Sequence, residues 1–139
     1  MRLLCLTAVT IALAAITSTS GLAQTSSSRP HSSTARVNPF VWGTDTWFVA
    51  SRRPVPSIGN PDRWYDQARR LAYPVGQVPR VGAIYVSREG VFGHVGIVTA
   101  VRPFSSYRVC EMDFAGYGVV DCREIIPGSV PLIGFIYDR

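Results

Sequence analysis

Lysine is absent from this chain of 139 residues: all 14 basic positions are arginine, set against nine acidic ones, for a formal net charge of +5. The arginines are scattered, with pairs only at Arg52-Arg53 and Arg69-Arg70. No basic stripe interleaved with aromatics runs through the sequence, so nucleic acid is not the expected partner. The positive balance suits an exported protein working near anionic polymers. Long apolar runs are also missing. A membrane-spanning helix needs roughly 20 apolar residues, and the longest run here, Leu3 to Ile16, falls short. No internal repeat is visible, and the length allows one domain at most.

That one apolar run is placed where export machinery reads it. Met1-Arg2 is a short basic start, Leu3 to Ile16 is nearly unbroken apolar sequence, and Gly21-Leu22-Ala23 offers a small-residue cleavage point. Residues 1–23 therefore read as a secretory signal peptide, with no membrane attachment after its removal. Residues 24–37 are rich in Ser and Thr and read as a disordered tether; His31 lies here and is given no role. The folded domain is expected over 38–139, exported to the periplasm or the exterior.

Cysteine is scarce as well. With Cys5 inside the leader, only Cys110 and Cys122 remain. An exported chain with one such pair is expected to form a disulfide, which is easy if the two lie on adjacent antiparallel strands.

The elements follow from punctuation and periodicity. Thr44 is a good cap for a helix reaching about Ser51, ended by Pro54 and Pro56. Asn60-Pro61 opens a second helix carrying Trp64, Ala68 and Leu71 at helical spacing, stopped at Tyr73-Pro74. Strands are expected over 81–86, 94–101, 107–113, 118–124 and 133–137, separated by Gly and Pro. Helices first and strands after give an α+β fold, with helices on one face of an antiparallel sheet of about five to six strands.

The polar residues worth singling out fall in a fixed order: Gly43-Thr44-Asp45-Thr46-Trp47-Phe48, then Gly93-His94-Val95-Gly96, then Glu111-Met112-Asp113. With Pro79-Arg80-Val81-Gly82-Ala83-Ile84 and the closing Gly134-Phe135-Ile136-Tyr137, this succession resembles the CHAP family, the cysteine- and histidine-dependent amidohydrolases and peptidases of peptidoglycan. The resemblance runs from about Asn38 to Tyr137 and implies a papain-like fold. It also implies a site at Asp45, His94 and Glu111, with Asp113 where the family often carries Asn. The family's opening motif places a cysteine nucleophile where this chain has Asp45.

Chemistry gives that substitution weight. A thiolate at a helix start is stabilised by the helix end and a neighbouring imidazole, and the imidazole is held in its working tautomer by a carboxylate. An aspartate is a poor nucleophile toward amides, and its acyl product, an anhydride, reverts. Asp45 is instead suited to a first helical turn and to an ion pair that raises the His94 pKa. The expectation is a degenerate hydrolase, a pseudoenzyme that needs no cofactor and binds peptidoglycan or a cell-envelope protein. Trp42, Phe92 and Tyr117, beside glycines near the groove, are the substrate-binding candidates. One competing arrangement has Asp45, His94 and Glu111 converge on Zn²⁺ or Mn²⁺ to hydrolyse an amide. Another reads the groove as a protein-interaction site.

Overall fold

The computed structural model describes residues 37–139; the leader expected over 1–23 and the tether expected over 24–37 lie outside the described residues, Val37 apart. Helix α1, Asp45–Arg52, begins where capping chemistry puts it. Thr44 keeps extended backbone angles, and its Oγ1 accepts a hydrogen bond from the Trp47 N–H at 3.2 Å. That satisfies one of the N–H groups a helix start leaves free. The second helical segment is divided. Pro61–Arg63 forms a short 3-10 turn, and α2, Trp64–Arg70, follows. Pro61 starts the segment as expected, but the Asn60 side chain makes no capping bond. Trp64 and Ala68 are fully buried. Leu71, expected on the same apolar stripe, falls just past the end of α2 and is 53% exposed.

Six strands follow: β1 Val75–Gly76, β2 Ile84–Ser87, β3 His94–Arg102, β4 Ser106–Met112, β5 Val120–Ile125 and β6 Leu132–Ile136. They form one sheet in the order β1-β6-β2-β3-β4-β5, with antiparallel neighbours throughout. This is the α+β arrangement read from the sequence. Two strand expectations change. β2 begins at Ile84 rather than Val81, because Gly82, at φ +85°, makes a turn there. β1 is a pair of residues too short and too glycine-marked to announce itself; it exists through pairing with Ile136 and Phe135 of β6.

Side chains alternate across the strands, and both faces of the sheet are buried. On one, Ile84, Val86, Val95, Met112 and Ile136 meet Phe48, Val49, Trp64 and Ala68 of the helical segments. On the other, Tyr85, Val98, Tyr107, Val109, Ile125 and Phe135 form a second core from the strands themselves. The Phe135 ring lies 5.4 Å from Tyr107 and 6.3 Å from Tyr85, centroid to centroid. The sequence reading covered only the helix side. Strand alternation supplied the second apolar face, but nothing local showed that the sheet's own side chains would close over it.

Cys110 and Cys122 stand directly opposite each other on β4 and β5 and form a disulfide. Among the described residues, no helix is long and apolar enough to cross a membrane.

Candidate functional site

The start of α1 meets the start of β3 and the end of β4, which brings Asp45, His94 and Glu111 into one line. Asp45 is 8% exposed. Its Oδ1 accepts the Thr46 N–H at 2.6 Å and its Oδ2 accepts the Val95 N–H at 3.0 Å. The same Oδ2 lies 3.1 Å from His94 Nδ1. On the far side of the ring, Nε2 lies 3.1 Å from Glu111 Oε2. This second contact is close enough for strong charge attraction, yet off the line of a good hydrogen bond, and Nε2 is shut off from solvent.

Glu111 is fully buried and carries the line onward. Arg123 Nε on β5 donates to Glu111 Oε1 at 2.5 Å. Its two terminal nitrogens donate to Glu89 at 2.9 and 2.6 Å. Tyr85 and Ser87 hydroxyls also donate to Glu89, at 2.8 and 2.9 Å. The Arg123 guanidinium stacks 3.8 Å over the Phe114 ring, whose neighbour at 5.5 Å is His94. Five charged groups thus alternate in sign from Asp45 to Glu89.

Electrostatics follow from that alternation. Burial works against a charged His94, but Asp45 and Glu111 outweigh it and push the ring's pKa up to about 9. Burial likewise opposes the charge on Glu89; bonds from Arg123, Tyr85 and Ser87 overcome it and hold the carboxyl below its usual range. Arg123 is raised in turn: burial opposes its charge, and Glu89 and Glu111 prevail. The Tyr85 hydroxyl is pushed up by burial. At neutral pH the ring is an imidazolium between two carboxylates. It has no lone pair with which to accept a proton.

A groove of about 480 Å³ opens beside this line. Its walls include Thr44 at the start of α1, Asn60-Pro61, the β2–β3 loop from Glu89 to Gly93, and Asp113-Phe114 after β4. The loop is fixed at both ends. Glu89 is tied into the buried network, and Phe92 O accepts the Asp62 N–H at 3.1 Å. Gly93 has φ +81°, and a Cβ there would stand 2.5 Å from Asp62 N; only glycine permits that approach.

Of the residues singled out in the sequence, Asp45, His94 and Glu111 come together. Asp113 does not join them. Alternation along β4 would have put it on the Glu111 face, but β4 ends at Met112 and Asp113 turns away at φ +70°, exposed on the groove wall. Phe92 lines the groove. Trp42 and Tyr117 are not among its lining residues; they pack edge to face, centroids 6.0 Å apart, beside the start of α1. The competing metal arrangement meets a geometric obstacle. The two carboxylates face opposite ring nitrogens, so Asp45, His94 and Glu111 do not converge on one point. Among the described residues, no group of three His, Cys, Asp or Glu side chains is arranged to hold an ion.

Sequence reasoning missed Arg123 and Glu89. The available signal was a charged residue at an inward position of β5, two residues before buried Ile125. Its partners follow only from strand register, which sets Arg123 opposite Val109, two residues from Glu111 on the same face.

A family model described as the CHAP domain matches residues 35–113. The probable autolysin LDP of Staphylococcus aureus is 35% identical over 101 residues, covering 68% of this chain and 36% of that protein. The staphylococcal secretory antigen ssaA2 of the same species is 34% identical over 125 residues, covering 86% of this chain and 47% of the antigen. The chain thus spans between a third and a half of the length of these curated relatives. A solved N-acetylmuramoyl-L-alanine amidase from Staphylococcus aureus shares the fold at a TM-score of 0.63 and 24% identity, over 70% of this chain and 31% of that one. With more than half of its length matched by the family model, the chain belongs to the CHAP domain family.

Proposed function

We propose that this chain is an exported CHAP domain that binds peptidoglycan and has lost thiol-dependent hydrolysis, with Asp45 standing where the family carries its nucleophile. Residues 1–23 would direct export and 24–37 would tether the domain. The names of its relatives, a secretory antigen and a probable autolysin, fit a place at the cell wall.

One observation carries the loss of chemistry: His94 is held on both nitrogens by carboxylates, with its pKa pushed up to about 9. A ring that is protonated at neutral pH is no general base. Asp45 is equally committed, since both of its oxygens accept backbone N–H bonds. It lines the groove, but its oxygens are engaged in pinning α1 to β3. Its carboxylate would in any case attack an amide poorly, and its anhydride would revert.

Purified sacculi test this. The chain is expected to pellet with them and to release no muropeptides. Release abolished by a chelator supports a metal-dependent hydrolase, and release that resists chelator but is lost in Asp45→Ala supports an unorthodox nucleophile. Failure to pellet points to a protein partner in the groove. Asp45→Cys restores a thiol at a helix start beside His94, so it is expected to gain release that iodoacetamide blocks. Cys110 and Cys122 are bonded to each other and do not confuse that readout.

A further inference from the structure

The groove carries charge opposite to that of the molecule around it. The chain is basic at +5, and residues 37–139 still carry 11 arginines against nine acidic residues; among the described residues no arginine lines the groove, while Asp45, Glu89 and Asp113 all do. The line from Asp45 through His94, Glu111 and Arg123 to Glu89 leaves one formal negative charge over. Asp113 adds a second. The acidic groups differ in availability. Asp45 is tied to backbone N–H groups and His94, and Glu89 to Arg123, Tyr85 and Ser87. The Asp113 carboxylate has no hydrogen bond or ion pair among the described residues, and it is exposed on the wall that faces the β2–β3 loop. Its backbone is nonetheless set, because its N–H donates to Val119 O at 3.1 Å and its φ is +70°.

We infer that Asp113 makes this groove selective for peptides bearing a free ammonium group, by accepting that group in an ion pair at the groove wall. The inference rests on the peptidoglycan-binding reading above and names the ligand chemistry of the same site. A stem peptide with a free side-chain or terminal amine satisfies the two features that the groove presents. Its ammonium meets the uncommitted carboxylate, and its backbone lies along Phe92 and Phe114, which supply apolar contact. A ligand whose only charges are carboxylates meets the surplus negative charge and is disfavoured.

The test uses soluble muropeptides released from sacculi by a muramidase, before and after acetic anhydride caps their free amines. Binding to the chain is read by calorimetry. Capping is expected to weaken binding about three- to tenfold, the range of a partly exposed ion pair. Added salt weakens the uncapped ligand more than the capped one. Asp113→Asn keeps the shape and tolerates positive φ. It is expected to bind both ligands alike, at the affinity wild type shows for the capped form. Equal binding of capped and uncapped muropeptides by wild type overturns the amine selectivity and leaves peptidoglycan binding standing. Binding of neither form overturns the underlying reading as well. Discrimination that persists in Asp113→Asn removes Asp113 from its role.

Discussion

At the scale of single residues, Asp45 does two things that separate variants distinguish. It accepts two backbone N–H groups, and it supplies one of the two charges that hold His94. Asp45→Ala removes both, leaving buried donors unpaired, and is expected to cost about 2–4 kcal/mol in chemical denaturation. Asp45→Asn keeps an acceptor oxygen for one of the two backbone N–H groups and loses the charge and the other acceptor. It is expected to cost less than the alanine variant while lowering the His94 pKa. Equal losses for the two would show that the one retained acceptor oxygen contributes nothing without the charge. Asp45, His94 and Glu111 were legible because each sits in a short motif in a family order. Arg123 and Glu89 were not, because their roles depend on which strands pair and in what register. Trp42 and Tyr117 were placed near the groove by nearby glycines; those glycines instead let the two rings and backbones pack together, with the Gly118 N–H bonded to Gly43 O.

At the scale of elements, the β4–β5 hairpin holds the site's inner half. Glu111 and Arg123 each follow a cysteine of the same disulfide, so the bond fixes the register that lets them meet. Replacing Cys110 and Cys122 with alanine together is expected to lower stability by about 2–3 kcal/mol, the entropy of a loop this short. A drop in melting temperature with retained pelleting on sacculi checks it; an unchanged melting temperature would mean the strands hold their register without the bridge. The pairing was readable from two cysteines on two β-prone runs in a chain whose leader reads as an export signal. Helix α1 was readable almost to its ends from Thr44 and Pro54. The second helical segment was not, since a proline start favours a tight 3-10 turn as readily as an α-helical one, and side-chain propensity does not separate them.

At the scale of the whole molecule, the buried ion line makes stability depend on pH. The His94 pKa rises from 6.5 in an exposed reference to about 9 in the fold. A raised folded pKa binds protons more tightly in the native state, so the contribution is complete below about pH 6.5 and is lost as pH climbs through 9. On the order of 3 kcal/mol is at stake. Urea denaturation at pH 6, 8 and 10 is expected to show stability falling across that span in wild type, and a flatter profile in His94→Gln. The α+β class itself was readable from helices preceding strands. The second core was not, because Tyr85, Tyr107 and Phe135 lie far apart in sequence and meet only when the sheet is assembled.

The loss of hydrolysis proposed for this site depends first on His94 being locked as an imidazolium between Asp45 and Glu111. NMR titration of the ring measures that state directly, with His94→Gln assigning its signal against that of His31, the other histidine. A midpoint near pH 9 is the expected result. A midpoint at or below 6.5 would leave the ring neutral and able to act as a base at physiological pH, and His94 would no longer count as grounds for lost hydrolysis.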